Sequence, residues 1–163
     1  MKIWKYGDNI NTDMLFPGKY TYSCSTAEEI IPHLLEDLDA EFARGASDGD
    51  IIFAGKNFGC GSSREQPVVG LKAVGIKAVV AKGFARIFYR AAINQGLTLV
   101  ECPEAVMAYE PGDTVALDLP KGILRINNQE YTFPRLPREI MDIQKADGLL
   151  PYTRIKLMEE KGT

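Results

Sequence analysis

Histidine occurs once in the 163 residues, at His33, and cysteine only three times, at Cys24, Cys60 and Cys102. A single histidine excludes a His-rich metal site and leaves His33 as the only base a Ser–His–Asp triad could use. The cysteines lie tens of residues apart, form no Cys-x-x-Cys pair and are odd in number. They predict reduced thiols rather than a disulfide framework, and they lack the local spacing of iron–sulfur ligands. No apolar run approaches membrane-spanning length. The opening residues Met1 to Tyr6 have neither the apolar stretch nor the cleavage site of a signal peptide, so the cytoplasm is the expected compartment. Positive charge is also missing: 19 Lys and Arg against 22 Asp and Glu leave a net charge of -3. The chain therefore has no general attraction for nucleic acid or acidic membranes, and any anion binding must be local. Repeats, low-complexity segments and long linkers are absent as well.

What is present is the composition of an ordinary globular protein, 45% hydrophobic and 25% charged, at a length that fits one domain spanning residues 1–163. Met1 to Lys5 reads as a strand that ends in the polar turn Gly7 to Asp13. A polar, aromatic-bearing loop from Lys19 to Ser25 precedes a helix start at Ser25 or Thr26, with Glu28 or Glu29 spaced for a capping box. Pro32 interrupts that helix, which is predicted to resume through Leu34, Leu35 and Leu38, and His33 falls on this helical stretch. Ile51 to Ala54, Ile76 to Ala81 and Leu97 to Val100 read as buried strands. Helical patterns separate them, one lined by Val68, Val69, Leu71 and Val74, the other running from about Phe84 to Asn94. That alternation predicts parallel pairing. After Pro111-Gly112-Asp113, three stretches alternate like antiparallel strands: Thr114 to Leu119, Ile123 to Ile126 and Glu130 to Phe133. Asn127-Asn128 supplies a hairpin turn. Helical patterns near Arg138 to Ala146 and Tyr152 to Glu160 close the chain. The fold class is α/β.

The densest chemistry lies in Gly55-Lys56-Asn57-Phe58-Gly59-Cys60-Gly61-Ser62-Ser63-Arg64-Glu65, between a buried strand and a helix. Its glycines permit a sharp turn and close backbone approach to a ligand. Two hydroxyls and a guanidinium then stand where a helix begins, a place suited to a small anion. Ser62 and Glu65 have capping-box spacing, but in that register Pro67 would fall at the fifth helical position and remove a backbone donor. A helix starting between Glu65 and Pro67 fits proline better and leaves Ser62, Ser63 and Arg64 in the loop before it. Arg64 stands where the third glycine of Gly-x-Gly-x-x-Gly would be, and no Gly-x-x-x-x-Gly-Lys-Ser/Thr occurs. On local pattern alone, the loop is either a strand-to-helix cap or an anion site, and Cys60 is either a packing residue or a reactive thiol.

Three segments together carry a resemblance: Gly7 to Asp13, Gly55 to Glu65, and Ala81-Lys82-Gly83-Phe84-Ala85-Arg86-Ile87-Phe88-Tyr89-Arg90. Their order, and the length of the whole chain, resemble the small subunits of 3-isopropylmalate dehydratases, swivel-domain relatives of aconitase. The resemblance implies one swivelling β/β/α domain, a mixed sheet or partly open barrel flanked by helices, with a late antiparallel hairpin. It implies a hydro-lyase of leucine biosynthesis, active with a large subunit that holds a [4Fe–4S] cluster, and a small-molecule dicarboxylate as substrate. Ser62 would be the general base, with Gly61, Ser63 and Arg64 holding a substrate carboxylate. Asp13 matches the position that orients a catalytic histidine of the large subunit, and its plain alternative is a turn-stabilising aspartate. Lys19, Tyr20, Thr21 and Tyr22 match the loop that discriminates the substrate's side group. That loop has no arginine for an extra carboxylate, which favours a neutral isopropyl group, although Lys19 could still reach one. Gln66 stands where many relatives have histidine, so no acid or base role carries over to it. Homoaconitase and dehydratases of methyl-substituted malates remain open within the class, and a stand-alone carboxylate-binding regulatory module outside it. Self-association of the isolated chain is left open.

Overall fold

The computed structural model describes residues 1–161. Four short parallel strands form its first sheet in the order β1 (Ile3–Lys5), β2 (Ile51–Ala54), β3 (Ala78–Ala81), β4 (Leu99–Glu101). The connection from β1 to β2 holds three single-turn helices, α1 (Thr12–Leu15), α2 (Ala27–Ile30) and α3 (Phe42–Gly45). Helix α4 (Gln66–Ala73) links β2 to β3, and α5 (Arg86–Gln95) links β3 to β4. After α6 (Pro103–Ala108) comes a separate antiparallel sheet, β5 (Val115–Asp118), β6 (Ile123–Ile126) and β7 (Gln129–Thr132). Helices α7 (Arg138–Lys145) and α8 (Leu149–Lys161) follow.

Strand periodicity assembles these parts into layers. Ile52, Ala54, Val79, Ala81 and Leu99 point to one face of the parallel sheet and pack with Val68, Leu71, Phe88 and Ala92 of α4 and α5. Their neighbours Ile51, Phe53, Val80 and Val100 point to the other face, against Val115, Leu124 and Ile126 of the small sheet, Phe133 just past β7, and Ala105 and Val106 of α6. Every residue of β2 and β3 is buried, as expected of parallel strands covered on both sides. The β/β/α layering and the α/β class are thus as anticipated, with the strands divided between two sheets. Asn127 adopts φ +52 at the expected turn between β6 and β7. Among the described residues, no helix is long and apolar enough to cross a membrane.

One expectation fails locally. The helix predicted to resume after Pro32 does not form: Ile31–His33 is a single 3-10 turn, and residues 34–38 are turns. Leu35 has φ +55, which no right-handed helix tolerates, and its N–H donates to Leu15 O at 3.0 Å. The leucines are there to be buried, Leu34 and Leu35 completely, and their spacing mimicked a helical stripe. Conversely, α6 went unpredicted although Pro103 sits at its first position, where proline favours a helix start.

Asp50, fully buried beside β2, ties the edge strand to the sheet. Its carboxylate accepts from Lys2 N–H at 2.6 Å, Trp4 Nε1–H at 3.1 Å and Ser47 N–H at 3.1 Å. Burial disfavours its ionised form, but those donors and the N-terminal charge outweigh burial and hold the carboxyl below its usual range. Asp50→Ala strands three donors and is expected to cost about 2–4 kcal/mol in urea unfolding at pH 7. Because the folded value is depressed, Asp50's contribution is complete above its unfolded value of about 3.9. It is lost as pH falls through the lower folded value, so the wild-type advantage over Asp50→Asn is expected to vanish in strong acid.

Candidate active site

Three segments distant in sequence meet beyond the carboxyl ends of β1, β2 and β3. Gly55 N–H donates to Gly7 O at 3.0 Å, Gly59 N–H to Ile10 O at 2.7 Å and Thr12 N–H to Cys60 O at 2.7 Å. On the other side Phe58 N–H donates to Gly83 O at 3.0 Å and Ala85 N–H to Phe58 O at 2.9 Å. The backbone past each strand thus continues the parallel alignment of the sheet, and the three motifs become one assembly. A crevice outside the carboxyl ends of parallel strands is where α/β sheets bind ligands.

Ser62 stands at the tip. Its N–H donates to Thr12 Oγ1 at 2.9 Å, its Oγ lies 3.0 Å from the same hydroxyl, and Arg64 Nε–H donates to that Oγ at 2.7 Å. Thr12 Oγ1 accepts from the Ser62 backbone, so its own O–H is free to point at Ser62 Oγ. Thr12 is 1% exposed, which fixes this geometry. Gly61 has φ +106, and a Cβ there would lie 2.9 Å from Thr12 Oγ1 and push it off Ser62. Helix α4 begins at Gln66 with Pro67 in its first turn, so Ser62 stays outside the helix and no capping box forms. The proline decided the register as anticipated.

Arg64 is nearly spent as a donor. Besides Ser62 it bonds Thr21 Oγ1 at 3.0 Å and Phe16 O at 3.4 Å through Nη1, and Asp13 Oδ1 at 2.6 Å through Nη2. One of its five N–H groups remains, on the Nη2 edge. Asp13 is an exposed partner at 68%, whereas Arg64 is 15% exposed. The cap of α1 is Asn11, whose side chain accepts from Met14 N–H at 2.8 Å, and Asp13 is the acidic residue of its first turn.

The remaining expected site residues divide. Thr21 joins the Arg64 cluster through its hydroxyl and accepts at its carbonyl from Gln66 Nε2–H at 3.3 Å. Gln66 therefore tethers the loop to the elbow. Ser63 is exposed and Tyr22 fully so. Tyr20 stacks on His33 at 3.7 Å between ring centroids, and Lys19 Nζ pairs with Glu36 at 2.6 Å. His33 sits on the 3-10 turn bonded to Glu36, not to any serine.

The Aconitase C-terminal domain profile matches residues 8–105. The 3-isopropylmalate dehydratase small subunit of Aquifex aeolicus is 46% identical over 159 residues, covering 96% of this chain and 94% of that protein. That of Caldicellulosiruptor saccharolyticus is 47% identical, covering 98% and 92%. The crystal structure of a 3-isopropylmalate dehydratase from Methanocaldococcus jannaschii superposes with a TM-score of 0.89 at 39% identity, covering 99% of this chain and 96% of that one. The chain belongs to the family of 3-isopropylmalate dehydratase small subunits.

Membership in this aconitase-type family implies an iron–sulfur enzyme in general. This chain's residues do not fit such a cluster. Among the described residues no group of three His, Cys, Asp or Glu is placed to hold a metal, and Cys24 and Cys102 are buried apart in the two different core clusters. Burial also pushes the Cys102 thiol up, away from the thiolate a metal needs. One small-subunit residue escaped sequence reading altogether. Thr12, which touches Ser62 through both its backbone and its hydroxyl, lies in the Asn-Thr-Asp motif from which only the aspartate was singled out.

Proposed function

We propose that this chain is the small subunit of a cytoplasmic hydro-lyase that converts 2-isopropylmalate to 3-isopropylmalate by dehydration and rehydration, in leucine biosynthesis. Residues 1–163 act as one swivel domain that closes over a site completed by a large subunit, which holds a [4Fe–4S] cluster. When bound there, the cluster supplies Lewis acidity toward the substrate's hydroxyl and a carboxylate. The observation that carries this reading is the convergence of Thr12 Oγ1, at 3.0 Å, and the Arg64 Nε–H donor, at 2.7 Å, on Ser62 Oγ.

A serine hydroxyl is far too weak an acid to serve as a base unless its alkoxide is stabilised. Two preorganised donors, one of them cationic, supply that stabilisation. Ser62 takes the proton from the carbon beside a carboxylate and becomes a neutral hydroxyl, while the hydroxyl on the neighbouring carbon takes a second proton from an acid of the large subunit and leaves as water. Rehydration in the opposite sense exchanges the two positions. Ser63 and the free Nη2 edge of Arg64 hold the substrate carboxylate, with the Gly61 turn keeping the backbone out of its way. Full bidentate binding needs Asp13 to leave that edge. A histidine of the large subunit, oriented by Asp13, gives the aspartate its other partner, so docking and opening of the arginine go together.

Steady-state assays of the complex with a cluster-bearing large subunit test the reading. Turnover of 2-isopropylmalate is expected only in the complex, with homocitrate and dimethylmalate poorer by more than about tenfold in kcat/KM. A homocitrate preference rejects the isopropyl assignment. Specific carboxylate binding by the chain alone, with no turnover in the complex, favours a regulatory module instead.

A further inference from the structure

The segment from Gly18 to Ser25 runs along the Arg64 cluster. A Cβ on Gly18 would lie 2.8 Å from Asp13 Oδ1 and 3.2 Å from Arg64 Nη1, and Thr21 accepts from that same Nη1 at 3.0 Å. Lys19 falls between these two residues and is the segment's only cation. Its ammonium is not free: Nζ lies 2.6 Å from Glu36 Oε1 and 4.9 Å from the Tyr20 ring centroid. The other oxygen of Glu36 lies 2.9 Å from His33 Nδ1, and His33 is stacked on Tyr20. Burial pushes the Glu36 carboxyl up, but hydrogen bonds from Lys19, His33 and Tyr20 outweigh it and hold the group below its ordinary range. Lys19 is shifted upward, chiefly by its bond to Glu36. At neutral pH the pair is therefore ionised and its charges cancel.

We propose that Glu36 is a positioning residue for substrate selectivity: by gripping Lys19 against Tyr20 and His33, it withholds a second cation from the substrate's side group. The site then accepts a dicarboxylate with a neutral substituent and discriminates against a third carboxylate. This rests on the reading of Arg64 as the ligand of a substrate carboxylate. Glu36 itself touches no substrate. Its effect is exerted through where Lys19 can go, a long flexible stem whose ammonium the ion pair with Glu36 holds at 2.6 Å. The absence of an arginine from the segment does not by itself give this selectivity, because an unpaired lysine would serve a third carboxylate as a point charge.

The test measures binding to the assembled enzyme, small subunit with its cluster-loaded large subunit. The probes are tricarballylate, with three carboxylates, and isopropylsuccinate, with two carboxylates and a neutral branch. Neither has a hydroxyl to eliminate. In Glu36→Gln, tricarballylate is expected to tighten about tenfold relative to isopropylsuccinate, the size of one additional charge-assisted hydrogen bond. Glu36→Ala, which leaves no amide to retain Lys19, is expected to give the same shift. Adding Lys19→Met to either variant is expected to return the ratio to that of the wild type. A ratio unchanged in both single variants overturns the inference, as does a tightening that survives Lys19→Met. Equal weakening of both ligands marks Glu36 as a merely structural support and also overturns it. A fixed ratio in an enzyme that still turns over 2-isopropylmalate rejects this inference alone, whereas a wild-type complex that binds neither probe rejects the reading beneath it.

Discussion

Ser62→Ala is expected to lower kcat by about 10³–10⁴-fold in the assembled enzyme while folding and association with the large subunit persist. The substitution removes one oxygen from an exposed loop position. The Ser62 backbone bond to Thr12, at 2.9 Å, does not depend on the side chain, so the elbow keeps its shape. KM is expected to move little, because in the proposed role the lost group acts on the carbon-bound proton and not on the carboxylates. Single-turnover measurement of the unsaturated intermediate, with gel filtration to confirm assembly, separates the two effects. Near-normal kcat would remove Ser62 from the role of base.

Arg64→Lys carries the second-largest expected loss, about 10²–10³-fold in kcat/KM, although it keeps the charge. An ammonium cannot reproduce a fork that reaches Ser62 Oγ at 2.7 Å, Thr21 Oγ1 at 3.0 Å and Asp13 Oδ1 at 2.6 Å at once. Charge-assisted hydrogen bonds are each worth about 1.5–3 kcal/mol, so losing two at the low end, about 3–4 kcal/mol together, corresponds to that range. The loss is expected to divide. The missing Nε–H donor to Ser62 lowers kcat, and the weakened carboxylate grip with a loosened loop at Thr21 and Phe16 raises KM. Unchanged constants would place Arg64 outside the site.

Much of the elbow was legible in residue order. Pro67 alone was enough to reject the capping register of Ser62 and Glu65, because a missing N–H and a fixed φ act within one turn of helix. Ile51 to Ala54 and Ile76 to Ala81 read as buried strands for an equally local reason, their near-continuous apolar runs, and the strands formed are Ile51–Ala54 and the shorter Ala78–Ala81. Leu34 and Leu35 show the opposite case. Their spacing looked helical, but Leu35 at φ +55 reports a chain bent to bury both leucines, and burial outweighed propensity.

What residue order could not supply is the partnership across segments. Thr12 meets Ser62 fifty positions away, and Asp13 meets Arg64 fifty-one away. Neither pairing leaves any trace in local spacing, since it arises when β1 and β2 align in parallel and carry their following loops to the same end of the sheet. The grip of Glu36 on Lys19 is of the same kind, made by a turn that sequence periodicity misread. Short-range sterics and periodicity settle which residues turn, extend or coil, because those forces act over a few bonds. Which hydroxyl meets which guanidinium, and which carboxylate meets which lysine, depends on how the segments pack together, a decision taken only when the layers close.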